Sequence, residues 1–161
     1  MTVLVPMREE EFNLFLLSSA TAYADDNIKS GRWLPEGAHD RAISELRDLL
    51  PQGIDTPDNY LFEILASPDG AAVGYIWCAI QDNHGQRSAF VYDVEIKPEF
   101  RRQGYATDAF ISIQEHLAAL GLESIGLHVF AFNEGAIALY KRLGFEVTGV
   151  NMQKKLNERL T

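Results

Sequence analysis

The sequence predicts a mixed α/β protein, a sheet of mostly antiparallel strands flanked by helices, and three observations predict it. Apolar residues recur at helical spacing in two long stretches, Phe12, Phe15, Leu16 and Tyr23 in the first and Ala106, Ala109, Phe110, Ile113 and Leu117 in the second. Period-two alternation marks Ser88 to Ile96 as a strand. The whole chain reads β-α-α-β-β-β-α-β-α-β, with the three consecutive strands joined by short turns.

Taken in order, Thr2 to Pro6 is a short first strand and Glu9 to Ile28 a helix that Gly31 ends, followed by a Trp33-Leu34-Pro35 loop. Ala38 to Leu50 carries Ala42, Ile43, Leu46 and Leu49 on one face, and Pro51 and Gly53 stop that second helix. Tyr60 to Ala66 and Ala71 to Ile80 are strands, and Ser-Pro-Asp-Gly at 67–70 is the turn between them. In the next strand Phe90, Tyr92, Val94 and Ile96 share one face, while Val91, Asp93 and Glu95 share the other. A helix from about Gln103 to Leu120 ends at Gly121. Then come a strand from Ser124 to Phe130, a helix from Asn133 to Leu143, and one or two closing strands between Phe145 and Leu156.

A chain of 161 residues fits one domain, 1–161, with one core. Its 47% hydrophobic and 23% charged residues are those of a globular protein, not a disordered one. A net charge of −9 argues against nucleic acid, since phosphate binding needs clustered Lys and Arg. It favours a cationic substrate through steering, and it also serves solubility. No apolar run approaches the roughly 20 residues of a membrane span. The N-terminus has neither a basic region nor a cleavage site, so the cytoplasm is the expected compartment. The single cysteine, Cys78, lies in a strand and reads as a buried small hydrophobe.

Two stretches carry chemistry. In Val94-Glu-Ile-Lys-Pro-Glu-Phe-Arg-Arg-Gln-Gly-Tyr-Ala106 a strand runs into a loop that opens a helix. The first amides of a helix lack internal partners and, with the helix dipole, attract an anion. Gly104 has no Cβ to obstruct a phosphate, Ala106 adds only a methyl, and Arg101 and Arg102 offer charge-assisted contacts. A tight strand-to-helix turn is the plain alternative. The loop is neither a P-loop nor a G-x-G-x-x-G fingerprint. In Asn133-Glu-Gly-Ala136-Ile-Ala-Leu-Tyr140-Lys-Arg-Leu-Gly144-Phe145, Asn133 is a good N-cap, and Ala136, Tyr140 and Leu143 lie along one stripe. Each residue taken singly has a structural explanation. No His, Cys, Asp or Glu spacing suggests a metal.

Together the two stretches resemble the GNAT acetyltransferase superfamily. Arg101-Arg-Gln-Gly104-Tyr-Ala106 is similar to its Q/R-x-x-G-x-G/A motif, and Asn133, Ala136, Tyr140 and Gly144-Phe145 follow its later N-x-x-A-x-x-x-Y-x-x-x-G-F pattern, in the same order. More narrowly, Trp33-Leu-Pro-Glu36, Leu49-Leu-Pro51, Ala89-Phe-Val-Tyr-Asp93, Leu127-His-Val-Phe130 and Asn151-Met-Gln-Lys-Lys-Leu156 resemble the bacterial YycN-like group of that superfamily, which implies no substrate.

The resemblance implies the GNAT fold, with a parallel pair of strands that splay apart, and transfer of an acetyl group from acetyl-CoA to an amine on a small molecule or peptide, without a metal, nucleic acid or membrane. It assigns the CoA pyrophosphate to the amides of Gln103, Gly104, Tyr105, Ala106 and Thr107, and the pantetheine arm to the strand edge at Val94 to Ile96. Asn133 would contact the pantetheine or acetyl region, and Tyr140 would protonate the departing thiolate. A base for the amine is left open among Asp93, Glu95 and His128. Tyr23, Trp33, Tyr60, Trp77 and Tyr92 are candidates for the acceptor side, Trp77 and Tyr60 fitting a core role better. A non-catalytic acyl-CoA-binding module is the alternative, and Tyr140 with the intact loop favours the enzyme. The C-terminal strands offer a route to a homodimer.

Overall fold

The computed structural model describes residues 2–157. Five strands form one sheet in the order β1-β2-β3-β4-β5: β1 (Val3–Pro6), β2 (Asn59–Leu65), β3 (Ala72–Asn83), β4 (Gln86–Ile96) and β5 (Ser124–Leu127). β1 to β4 are antiparallel neighbours, and β5 joins β4 in parallel after a helical crossover. The mixed sheet is the one the sequence predicts, and the element order agrees up to the last helix.

Helices cover both faces. α1 (Glu9–Lys29) and α2 (Ala38–Leu49) pack on one, burying Phe15, Leu16, Ala20, Ala42 and Leu46 with Trp77. α3 (Tyr105–Ala119) packs on the other, where Ala109, Phe110, Ile113 and Leu117 meet Ile64, Ile76, Cys78 and Val91. α4 (Glu134–Arg142) adds Tyr140 to that second core. No helix among the described residues is long and apolar enough to cross a membrane.

Three expectations need correction. β5 ends at Leu127 rather than Phe130, because β4 and β5 part company after the pair Val91↔Leu127. The segment 145–155 forms no strand, since no other part of the described chain lies beside it to supply a ladder. The alternation along β4 also breaks: Trp77 pairs with Asp93 and Cys78 with Val91, so Tyr92 is the extra residue of a β-bulge. The bulge sends Tyr92 and Asp93 to the same side. Tyr92 stacks on Trp77 with ring centroids 4.6 Å apart, and Asp93 faces α1, while Val91, Val94 and Ile96 face α3.

Candidate active site

The parting of β4 and β5 leaves the end of β4, with Val94 and Ile96, without a neighbour on one side. β4 keeps its ladder to β3 through Val94, Glu95 and Ile96, but no residue of β5 pairs with it beyond Val91. One backbone edge of β4 therefore faces a gap, offering amide and carbonyl groups to an extended ligand. Gly74 holds the far side tight. A Cβ there would lie 2.0 Å from the Glu95 carbonyl oxygen, so only glycine lets β3 approach the end of β4 so closely.

Chain leaves that edge through Pro98–Phe100 and turns into α3. Arg102 (φ 60°) and Gly104 (φ 84°) are both left-handed, and α3 begins at Tyr105, two residues later than the sequence predicts. The first helical bond is Asp108 N–H to the Gly104 carbonyl. Among the described residues no backbone carbonyl accepts from the N–H groups of Gln103, Gly104, Tyr105, Ala106 or Thr107. A Cβ on Gly104 would meet nothing within 4 Å, so the loop is open on that side. Five unpartnered amides at a helix start, unobstructed and beside Arg102, fit a pyrophosphate. The Arg101 guanidinium is already engaged: Nε donates to the Ile96 carbonyl at 2.8 Å and Nη2 lies 3.7 Å from Glu95 Oε1.

The α1 face of β4 carries a cluster that the sequence shows only in part. Ser19 Oγ donates to Asp93 Oδ2 at 2.5 Å, and the Tyr75 hydroxyl donates to Glu95 Oε2 at 2.5 Å. Ser18 Oγ is 3.5 Å from the same Glu95 oxygen. Burial pushes the Asp93 carboxyl up to about 6, against the opposing pull of the Ser19 hydrogen bond. Burial and the Asp93 charge push the Tyr75 phenol well above its ordinary range. Tyr140 is raised in the same way, first by burial and then by the Asp93 charge, so its phenol stays protonated at neutral pH. Its ring packs edge-on against Phe110 and Phe145, at 5.5 and 5.8 Å. Asn133 caps α4, accepting from the Ala136 N–H at 3.4 Å.

Not every candidate arrives. Tyr60 lies on the α3 face beside Phe62 and His116, on the far side of the sheet from Asp93. Trp77 is buried, its indole N–H donating to Asn59 Oδ1 at 2.8 Å. Trp33 already carries a cation, the Arg41 guanidinium 4.3 Å from its ring centre, at a cavity of about 350 Å³ lined by the loop before α2 and the first turn of that helix. Tyr23 packs edge-on against Trp33. His128 stands exposed past the end of β5, against Phe130. Cys78 is buried and its thiol pushed up to about 12, which removes it as a nucleophile at neutral pH. Sequence reasoning missed Tyr75, Ser18 and Ser19. The register of Tyr75 against Glu95 was the one signal for the first, and nothing in the sequence paired α1 with β4.

An open strand edge leading to an amide-lined helix start, with a carboxylate pair on one face and a protonated phenol on the other, is an arrangement that fits an acyltransferase with a phosphate-bearing donor. The chain belongs to the GNAT acetyltransferase family, whose pattern matches residues 25–145. It is 37% identical to the N-acetyltransferase YycN of Bacillus subtilis over 96% of this chain and 98% of that one. It is 34% identical to the N-acetyltransferase YdgE of the same organism, over 93% and 95%. The crystal structure of B. subtilis YycN superposes with a TM-score of 0.92 at 36% identity, covering 98% of this chain and all of that one. The family uses acetyl-CoA as its co-substrate.

Proposed function

We propose that this protein transfers the acetyl group of acetyl-CoA to a primary amine by direct attack, in the cytoplasm. The observation that carries the reading is the edge of β4 at residues 92–96 that β5 leaves unpaired, with Asp93 on the α1 face and Tyr140 in the core of the α3 face. The amides of Gln103 to Thr107 and the Arg102 side chain would hold the pyrophosphate, and the edge at Val94 to Ile96 the pantetheine arm. Asn133, which caps α4, would contact the pantetheine or acetyl region. The donor supplies an activated thioester carbonyl. Glu95, fixed by Tyr75 and Arg101, draws and orients the cationic amine.

Asp93 takes a proton from the amine, which frees the lone pair for attack. Its carboxyl, near 6, is ionised at neutral pH yet basic enough to accept that proton. A β4 amide in the 94–95 stretch donates to the carbonyl oxygen as negative charge develops there. The Tyr140 phenol gives its proton to the departing sulfur, and its raised pKa keeps that proton available.

The test is thiol release from acetyl-CoA against a panel of a polyamine, a peptide N-terminus, a lysine side chain and an aminoglycoside. Turnover is expected on at least one amine, with acetyl-amine product. Micromolar binding of acetyl-CoA with no product on any of them would make the protein a binding module instead.

A further inference from the structure

α1 crosses the sheet rather than following one strand. Phe15 packs edge-on against Tyr75 of β3, Ser19 donates to Asp93 of β4, and Lys29 Nζ lies 4.5 Å from the ring centre of Phe132. Phe132 belongs to the stretch between β5 and α4, past the last β4–β5 pair. From Ser19 to Lys29 the helix advances about 15 Å, against about 4.8 Å between paired strands. α1 therefore bridges the gap, resting on β4 at one point and on the chain that has left β4 at another.

Three rings stand in a row on that far side. His128 packs edge-on against Phe130 with centroids 4.7 Å apart, and Phe130 stacks on Phe132 at 5.5 Å and 8°. Ile125 and Leu127 belong to the core on the α3 side, so alternation turns Gly126 and His128 toward α1. A Cβ on Gly126 would meet the Phe90 ring at 4.0 Å, and that ring packs on Tyr92. The row is thus on the side of the sheet that carries Asp93, and Lys29 fixes its end there.

The two sides of the gap differ in charge. β4 presents the carboxylates of Asp93 and Glu95. The far side carries the Lys29 ammonium, which also offsets the charge of Asp26. Nearby, Tyr23 packs on Trp33, whose ring lies under the Arg41 guanidinium. The ring faces of Phe132 and Trp33 are thus already taken by the protein's own cations. An amine is drawn to β4, and the rest of the molecule that bears it meets half-buried rings and positive charge.

We infer that the acceptor is a monoamine with an aromatic body. Its ammonium goes to Asp93 and Glu95, its ring packs on the row of His128, Phe130 and Phe132, and Lys29 excludes a second cation. This rests on the transferase reading and names the acceptor class within it.

Initial rates with acetyl-CoA on 2-phenylethylamine, ethylamine and spermidine test it. kcat/KM for 2-phenylethylamine should exceed the other two by at least about tenfold, the effect of burying one phenyl ring. Phe130→Ala should remove that advantage by raising the KM for 2-phenylethylamine, with the KM for acetyl-CoA unchanged. A variant that only loosened the fold would move both. Phe130→Tyr, which keeps the ring, should keep the preference. Lys29→Met should raise kcat/KM for spermidine about fivefold by removing a like charge. An unchanged spermidine rate there overturns the part assigned to Lys29. Equal rates on the three amines, or a preference for spermidine, overturn the inference while the transferase reading stands. If no amine is turned over, the transferase reading fails, and saturation-transfer NMR with 2-phenylethylamine decides the ring site. A signal that Phe130→Ala abolishes supports the site. No signal, or one that Phe130→Ala leaves intact, overturns it.

Discussion

The two halves of β4 differ in what each leaves unfinished. From Ser88 to Val91 the strand is laddered on both sides, and its α3-facing residues, Ala89 and Val91, are buried. From Tyr92 to Ile96 it keeps only β3, and its side chains are Asp93, Glu95 and the half-buried Val94 and Ile96. One bulged residue, Tyr92, divides them. The first half spends its backbone on the fold. The second keeps backbone groups and carboxylates free for a ligand, and relies on β3 and α1 to hold them in place. A rigid scaffold with one edge left open positions reacting groups without a flexible loop.

The comparison is broken most completely by filling the open end. Gly104→Glu puts a carboxylate and a left-handed strain at the start of α3. It should weaken acetyl-CoA binding by more than about 100-fold while lowering Tm by only about 2–4 °C, the cost of about 1 kcal/mol of left-handed strain, because nothing within 4 Å of that position is displaced. Calorimetric titration checks it, and retained micromolar binding would remove the cradle.

Asp93→Asn comes next. It keeps an acceptor for Ser19 but removes the base, so kcat should fall by about 100-fold, within the usual range for general acid–base groups. Its stability should move the other way. The folded carboxyl titrates near 6, above its ordinary 3.8, so the folded state holds the proton more tightly. The favourable contribution is then fully present below about pH 4 and lost as pH rises through about 6. Removing the charge should raise Tm at pH 8 by about 2–4 °C, the shift for about 1 kcal/mol in a chain of this size, and flatten the decline between pH 4 and 6. A lower Tm at pH 8 would contradict the burial argument.

Tyr140→Phe is smaller. Thiolate is a good leaving group, so loss of the phenol proton should cost about tenfold in kcat, below the usual range for acid catalysis, with acetyl-CoA affinity unchanged. Full activity in the variant would end the acid role.

The laddered half of β4 was legible in the sequence and the open half only partly so. Alternation fixed the strand, and Gly104 with its arginines marked the loop. Alternation also put Tyr92 with Val94 on one face, because a bulge adds a residue without changing the composition of the run. Trp33 looked free for a cationic substrate because nothing in the sequence says that Arg41 lies over its ring. Tyr60 takes the core role the sequence favoured for it, although which face of β2 meets α3 is decided by packing. The closing strands expected between Phe145 and Leu156 do not form, because alternation in the sequence supplies no neighbour for the backbone to pair with.

The finest division is between the two carboxylates, and their different donors separate them. Ser19 hydrogen-bonds to Asp93 and Tyr75 to Glu95, so each donor can be removed alone. Ser19 favours the charged form of Asp93, and Ser19→Ala should therefore raise its pKa further. A lost hydrogen bond of about 1 kcal/mol corresponds to a little under one unit at 1.36 kcal/mol per unit. The acidic limb of kcat/KM should move up in pH by that amount, with the plateau near pH 8 unchanged. Tyr75→Phe should weaken amine binding, seen in KM, and move the limb up by less than Ser19→Ala does, since the Tyr75 hydroxyl favours the charged form of Asp93 less than Ser19 does. If Tyr75→Phe moves the limb and Ser19→Ala does not, Glu95 is the proton acceptor and Asp93 the buried support.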